Sequence, residues 1–174
     1  MNTFLKDKVV LVTGASRGIG RDVALAFARQ GARLVLAARS ADRLAQVQNE
    51  IRDLGSEALS APTDVTSEDS VNAMVETAMN RFGRIDVLVN NTGIGKVGPV
   101  ETASFEEDVR QTLQASLFGM IRVTQRVLPI FRQQGSGTIV NSHPLWGVRL
   151  SPASAHTQLS CMRSRHFRTL FARR

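Results

Sequence analysis

The stretch from residue 9 to residue 20 constrains the fold of this 174-residue chain more than any other. It begins with an apolar, β-branched run over residues 9–12, which is typical of a strand buried on both faces of a parallel sheet. Three glycines follow at positions 14, 18 and 20, and an amphipathic stretch starts at Arg21. Glycine lets a backbone approach an anion closely, and the free N–H groups of a first helical turn point towards that anion. The order of strand, glycine turn and helix therefore predicts a phosphate site, although such a turn also occurs without a ligand.

Apolar strands and amphipathic helices alternate along the chain with short connections, which predicts a doubly wound α/β domain with a parallel sheet. The predicted strands cover residues 9–13, 33–38, 57–62, 85–90 and 138–141, and the predicted helices cover residues 19–30, 42–54, 67–82 and 105–131. Ser67 is expected to cap the third helix and Gly83 to close it. Pro129 is expected to end or kink the fourth helix.

Composition limits the classes of protein to which the chain can belong. The net charge is +7, but residues 145–174 contain six arginines and no acidic residue, so the basic character belongs to the tail. Binding of nucleic acid or an acidic surface through that tail is therefore an alternative function, although the tail contains no recognition motif. The single cysteine, Cys161, excludes an internal disulfide and favours the cytoplasm. No apolar run approaches membrane-spanning length and no signal-peptide pattern is present, so no membrane contact is expected.

Several motifs stand in order along the chain: the glycine turn with Thr13, Asp64-Val65 after the third strand, Asn90-Asn91-Thr92-Gly93 after the fourth strand, and the fifth strand itself. Together they resemble the motifs of the short-chain dehydrogenase/reductase family, over about residues 5–155. The resemblance implies a Rossmann-like dinucleotide-binding domain over residues 1–155 with about five strands in the order 3-2-1-4-5. The family reaction is the oxidoreduction of a hydroxyl or carbonyl substrate with a nicotinamide dinucleotide.

The resemblance also assigns the cofactor contacts to the glycine turn and to the ends of the strands. These residues are Thr13, Gly14, Ser16, Arg17, Gly18, Ile19, Gly20, Arg39, Asp64, Val65, Asn91, Thr92 and Gly93. The second strand ends in Ala37-Ala38-Arg39, without the acid that usually binds the ribose 2′-hydroxyl of NAD. Arg39 and Arg17 both suit a 2′-phosphate, which favours NADP(H) over NAD(H). The alternative is that both arginines are only solvated and that Asp42 binds the ribose.

The family chemistry implies a serine, a tyrosine, a lysine four residues after it, and an asparagine in the long helix. In this chain those positions hold Pro144, Thr157, Cys161 and Ser116, in that order, and the whole chain contains no tyrosine. An aliphatic hydroxyl is far less acidic than a phenol, whose pKa is about 10. We therefore expect a protein that binds the coenzyme and is catalytically deficient. The alternative is an active oxidoreductase, acting on a small carbonyl or alcohol, with Ser142, His143 or His156 as its acid–base groups.

The helical and strand pattern weakens after Gly147, and no sixth strand is predicted, so the fifth strand is expected at an open edge. Residues 156–174 form a basic tail that is expected to be helical or disordered. The C-terminal part of the family fold, including a helix that the family uses for subunit contacts, is missing, which weakens a family-type homo-oligomer. One hypothesis for these features is a shifted reading frame from about His156 onward, because an alternative frame reads as an amphipathic helix.

Overall fold

The computed structural model describes residues 5–94, 100–142 and 170–171. Its centre is a sheet with the strand order β3-β2-β1-β4-β5-β6. The strands are β1 (Val9–Thr13), β2 (Arg33–Ala38), β3 (Ala58–Pro62), β4 (Val87–Asn90), β5 (Thr138–Asn141) and β6 (Leu170–Phe171). β1 to β5 pair in parallel, and every residue of β1 is buried, as expected for the central strand of a covered sheet. The predicted fold class and the order of the first five strands are confirmed.

Helices cover both faces of the sheet, because side chains of a buried strand point alternately to opposite sides. Val10 and Val12 contact the core with α1 (Gly18–Ala28) and α2 (Ala41–Asp53). Val9 and Leu11 contact the core on the other face, with α3 (Glu68–Phe82) and α5 (Gly119–Gln134). The predicted ends of α3 are confirmed: the Ser67 hydroxyl accepts a hydrogen bond from the Ser70 N–H, and Gly83 closes the helix with φ 70°.

The segment before α5 differs from the single long helix predicted over residues 105–131. It consists of π-helical turns at Phe105–Arg110 and Gln114–Phe118 with a short helix, α4 (Gln111–Leu113), between them, and a 3₁₀ turn at Val100–Thr102 precedes it. Pro129 does not end this helix, because α5 continues to Gln134, and the other expected outcome, a kink at Pro129, stays a prediction. Val127 and Phe131 lie on either side of Pro129 and are buried in the core, so packing holds the helix together past the missing N–H.

The prediction that no sixth strand follows β5 is also wrong. Leu170–Phe171 pairs antiparallel with Thr138 and Ile139, at the edge that was expected to be open. These two residues are strand, whereas a helical or disordered tail was predicted, and the rest of residues 156–174 lie outside the described part of the chain. A strand of only two residues in a basic segment is too short to show an alternating apolar pattern, so the sequence did not predict it. It forms because β5 provides the backbone groups with which it pairs.

The order of the strands places a crevice in the middle of the sheet. β1 is followed in the chain by β2 and β3 on one side, and the chain then crosses back to form β4 on the other side. In open α/β sheets, ligands bind beside the carboxyl ends of the strands at such a reversal. Within the described residues, no helix has the length and apolar character needed to span a bilayer.

Candidate functional site

The glycine turn lies at the carboxyl end of β1, between this strand and α1. The Ala15 N–H donates to the Ala37 carbonyl at the end of β2 (3.1 Å), which ties the turn to the neighbouring strand. Gly14 has φ 68°, and a Cβ built there would lie 3.0 Å from Asn91 Nδ2. A Cβ at Gly20 would overlap the carbonyl oxygen of Gly14. Glycine is therefore required at both positions, and the start of α1 packs directly against the turn.

The first turn of α1 faces solvent beside this crevice. Arg17, Gly18 and Ile19 are exposed, and Ile19 is 63% exposed despite being a large apolar residue. Arg17 precedes the helix, and its side chain makes no capping hydrogen bond. The backbone N–H groups of a first helical turn have no partner inside their own helix, so this end of α1 is suited to an anion. Ser16 is half-buried in the same turn.

The Thr13 hydroxyl joins the glycine turn to the segment that follows β4. Thr13 Oγ1 accepts hydrogen bonds from the N–H groups of Asn91 (3.0 Å) and Thr92 (3.1 Å), and it is placed 3.4 Å from the Val89 carbonyl, to which it donates. Asn91 Nδ2 lies 3.4 Å from the Gly14 carbonyl. A single buried hydroxyl therefore fixes the spacing between the carboxyl ends of β1 and β4, where it brings Thr13 and Gly14 next to Asn91 and Thr92.

The segment after β4 is also held from the opposite side. Ser116, which occupies the position of the family asparagine, is only 6% exposed and lies in the second π-helical turn. Its Oγ lies 3.3 Å from both the N–H and the carbonyl oxygen of Ile94. Gly93 and Ile94 are exposed between these anchors, and Ile94 is 40% exposed. Ser116 thus has a role in holding this loop that does not require an amide.

Charged residues lie at the ends of β2 and β3. Arg39 is exposed at the end of β2, and Asp64 follows β3, whose end is tied to β2 by the Thr63 N–H donating to the Ala38 carbonyl (2.9 Å). Hydrogen bonds from the backbone N–H and the hydroxyl of Thr66 hold the pKa of the Asp64 carboxyl below its ordinary value, against partial desolvation. The charges of Arg39 and Arg122 lower this pKa further.

Val65 lies next to Asp64 and is buried, and its carbonyl accepts a hydrogen bond from Arg122 of α5 (2.7 Å). Gly119 packs against the same residue, since a Cβ at Gly119 would lie 2.6 Å from Val65 Cγ2. The turn that carries Asp64 and Val65 is therefore fixed by α5, on the same edge of the sheet as the glycine turn. Arg122 did not emerge from the sequence, because an arginine on a helix gives no local sign of its distant carbonyl partner.

A second polar cluster lies at the carboxyl ends of β4 and β5, and the sequence named Asn90 and Ser142 for other reasons but did not predict that they join Thr124 and Asn141 there. Asn90 Nδ2 is 3.0 Å from both Thr124 Oγ1 and Asn141 Oδ1, and Ser142 donates its N–H to the Asn90 carbonyl (2.9 Å). Asn90 Oδ1 is buried and accepts no hydrogen bond from the described residues. The available signal was the pair of asparagines that each end an apolar strand, Asn90 in β4 and Asn141 in β5.

The remaining predicted catalytic positions are not described. Pro144, Thr157 and Cys161 lie outside the described residues, as do His143 and His156 of the alternative acid–base set. Within the described ranges, no group of three or more His, Cys, Asp or Glu side chains is placed to hold a metal ion. The described groups at this edge of the sheet include backbone N–H groups, hydroxyls, the Asn91 amide and the Asp64 carboxylate, with exposed Arg17 in the glycine turn and exposed Arg39 at the end of β2.

A family model described as short chain dehydrogenase matches residues 8–155, which is most of the chain. The chain belongs to the short-chain dehydrogenase family. It is 41% identical over 152 residues to an uncharacterized oxidoreductase of Staphylococcus saprophyticus, covering 87% of this chain and 60% of that protein. The chain therefore spans less than two thirds of the length of this relative.

Solved structures of short-chain dehydrogenases share the fold. An NAD⁺-bound xylitol dehydrogenase superposes with a TM-score of 0.80 at 34% identity, covering 86% of this chain and 57% of the other. An alcohol dehydrogenase from the archaeon Thermococcus sibiricus, complexed with 5-hydroxy-NADP, superposes with a TM-score of 0.71 at 36% identity, covering 75% and 56%. The family binds nicotinamide dinucleotides, and these two structures hold different forms of them, so the likeness does not select one form.

Proposed function

We propose that this short-chain dehydrogenase family member binds NADP(H) beside the carboxyl ends of β1 and β4 and does not catalyse the family reaction. The observation that carries the proposal is the close approach of the glycine turn, α1 and the segment after β4. Gly14 and Gly20 leave no room for side chains there, and the Thr13 hydroxyl holds the two strand ends together. A crevice lined by backbone N–H groups at a helix start fits a pyrophosphate.

Each part of the coenzyme has residues suited to hold it. We assign the pyrophosphate to the turn from Ser16 to Gly20, where Arg17 adds a permanent positive charge. The adenine is assigned to the turn with Asp64 and Val65, which α5 fixes in place. The nicotinamide end is assigned to Asn91, Thr92 and Gly93, between Thr13 and Ser116. When bound, the coenzyme supplies a hydride donor or acceptor, and these residues bind and orient it.

The preference for NADP(H) rests on charge at the end of β2. Arg39 is exposed there, and Arg17 is exposed in the neighbouring glycine turn, so both guanidinium groups are accessible to a 2′-phosphate. Asp42 is exposed in the first turn of α2, three residues beyond Arg39. It remains the competing candidate, as an acceptor for the ribose hydroxyl of NAD(H).

The proposed lack of catalysis rests on the proton that must accompany hydride transfer. A carbonyl oxygen that receives hydride from the nicotinamide also takes a proton, and the family uses an acidified tyrosine for this purpose. This chain contains no tyrosine, and its lysines are Lys6, Lys8 and Lys96, far along the chain from the position concerned. Of the four replaced catalytic positions, Ser116 is the one within the described residues, and its hydroxyl is engaged by the backbone of Ile94.

The cytoplasmic location stays a prediction from the single cysteine.

Titration of the purified chain with NADPH and NADH, followed by coenzyme fluorescence, tests the binding proposal. NADPH is expected to bind more tightly, and Arg39→Asp is expected to weaken NADPH binding by about 10- to 100-fold through loss of a charged hydrogen bond to phosphate. Arg29→Asp is the matched control, because Arg29 is exposed beyond the far end of α1 and the net charge change is the same. Equal affinities for the two coenzymes, or equal effects of the two substitutions, contradict the assignment of the 2′-phosphate to Arg39.

Incubation of the same sample with NADPH and a panel of ketones and aldehydes tests the catalytic part separately. Binding without any protein-dependent loss of NADPH absorbance is the expected outcome. Sustained consumption of NADPH contradicts it. If that consumption disappears in Ser142→Ala, the result supports Ser142 as an acid–base group of the alternative, active oxidoreductase.

A further inference from the structure

The edge of the sheet at β5 is less buried than the centre of the sheet. Residues of β1 and β4 are buried throughout, whereas Thr138, Ile139 and Val140 are only half-buried. All three of these residues are β-branched, which favours a strand. A strand of this composition with unpaired backbone groups is a template for pairing with another chain.

The direction of the backbone groups shows which of them need a partner. The Thr138 N–H donates to the Asp86 carbonyl (3.0 Å) and the Ser142 N–H donates to the Asn90 carbonyl (2.9 Å), so these residues face β4. Backbone groups alternate in direction along a strand, and Ile139 therefore turns its N–H and carbonyl away from β4. The antiparallel register sets Ile139 opposite Leu170, so this pair exchanges the hydrogen bonds.

The strand that occupies this edge comes from residues outside the family match. The match ends at residue 155, and Leu170–Phe171 lies beyond it. The surrounding sequence is strongly basic, with Arg168 before the pair and Arg173 and Arg174 after it, and no acidic residue in 145–174. Charges flanking an edge strand oppose the addition of a further strand.

We propose that Leu170–Phe171 serves as an edge cap, which closes β5 within the same chain and prevents its pairing with a strand of a second copy. The cap acts through backbone groups, so its side chains can vary while its N–H at residue 170 cannot be lost. The occupant of the β5 edge is therefore this chain's own C-terminal segment.

Two proline substitutions distinguish the cap from a chance contact. Leu170→Pro removes the N–H that faces Ile139, whereas Phe171→Pro removes an N–H that points away from β5 and serves as the matched control. Amide hydrogen exchange of Ile139 is expected to be at least about fivefold faster in Leu170→Pro than in the unmodified chain or in Phe171→Pro. Sedimentation is expected to show more self-association for Leu170→Pro than for Phe171→Pro.

The Val140 amide reports on the sheet itself, since it faces β4. Loss of exchange protection at the Val140 amide in Leu170→Pro, but not in Phe171→Pro, supports the cap. It means that the pairing of β5 with β4 depends on the pairing of β5 with β6. Equal exchange rates of the Ile139 amide in all three proteins overturn the proposal. An equal loss of protection at this amide in Leu170→Pro and Phe171→Pro, or equal self-association of these two variants, also overturns it.

Discussion

At the scale of single residues, the Thr13 hydroxyl has the largest consequence for the crevice, because two backbone N–H groups depend on it. Thr13→Val keeps the shape of the side chain and removes the acceptor, leaving the N–H groups of Asn91 and Thr92 without this partner. We expect a loss of about 1–3 kcal/mol in the free energy of unfolding, measured by urea denaturation. Thr13→Ser keeps the hydroxyl, removes only the methyl group and is expected to lose less; a loss in Thr13→Ser as large as that in Thr13→Val contradicts the hydroxyl as the dominant contribution of this residue.

Asp86 gives a residue-scale prediction that depends on pH. Burial alone would raise the pKa of this carboxyl, but hydrogen bonds from Arg84 and from the Val9 N–H, with the charge of Lys8, hold the pKa below its ordinary value. The same pairing raises the pKa of Arg84. A lowered carboxyl pKa contributes stability that is present above about pH 4 and is lost as the pH falls further, through the folded-state pKa.

Asp86→Asn is therefore expected to lower the free energy of unfolding by about 1–3 kcal/mol at pH 7, and by clearly less at pH 3. Asp53→Asn serves as the control, since Asp53 is exposed at the end of α2. Urea denaturation at the two pH values measures the difference. A loss for Asp86→Asn that is the same at pH 3 and pH 7 rules out the ionised carboxylate as its source.

At the scale of secondary structure, the sequence predicted what local patterns determine. The five parallel strands, α1 to α3 and the Ser67 and Gly83 ends of α3 follow from apolar periodicity and capping residues. The π-helical turn with Ser116 and the strand Leu170–Phe171 did not follow, because both depend on partners far away in the chain. The same holds for the site: glycine turns carry a local signature, whereas the Arg122 contact with Val65 does not.

The helical segment around α4 and α5 exposes an apolar stripe, spaced by four residues, that a single chain leaves uncovered. Its members are partly exposed large side chains: Phe105, Val109, Leu113, Leu117 and Ile121. Beside it, a groove of about 640 Å³ between α3 and α5 is lined partly by Phe118 and Ile121. Exposed apolar surface of this kind favours association. We predict weak, concentration-dependent dimers of the unmodified chain.

Leu117→Lys is expected to weaken that self-association by about tenfold or more, because a charge then enters the apolar contact. Gln133→Lys places the same charge at an exposed polar position near the end of α5 and is expected to have little effect. Sedimentation over a range of concentrations compares the two. Equal dissociation constants for both variants place the contact elsewhere on the molecule.

At the scale of the whole molecule, the family match and the sequence agree on where the chain departs from its relatives. The match covers residues 8–155, and a shifted reading frame was predicted from about His156. Sequencing the gene tests this hypothesis, because the alternative frame after that point must encode an amphipathic helix. If close relatives share the reading frame through residue 174, the frame-shift hypothesis is wrong. The strand Leu170–Phe171 is then expected in those relatives as well.

Coenzyme binding and catalysis are tested separately at this scale, because the residues proposed to bind the coenzyme differ from those at the four replaced catalytic positions. A ligand that binds only the folded chain stabilises it by about 2.7 kcal/mol at a free concentration 100 times its Kd. For a chain of this size that corresponds to a rise in Tm of roughly 5–11 °C. We expect NADP⁺ and NADPH to produce this rise, NAD⁺ at the same concentration to produce a smaller one, and NADPH to be recovered intact with a carbonyl present. No change in Tm at saturating NADPH contradicts the binding proposal, whereas a change in Tm accompanied by NADPH loss contradicts only the absence of catalysis.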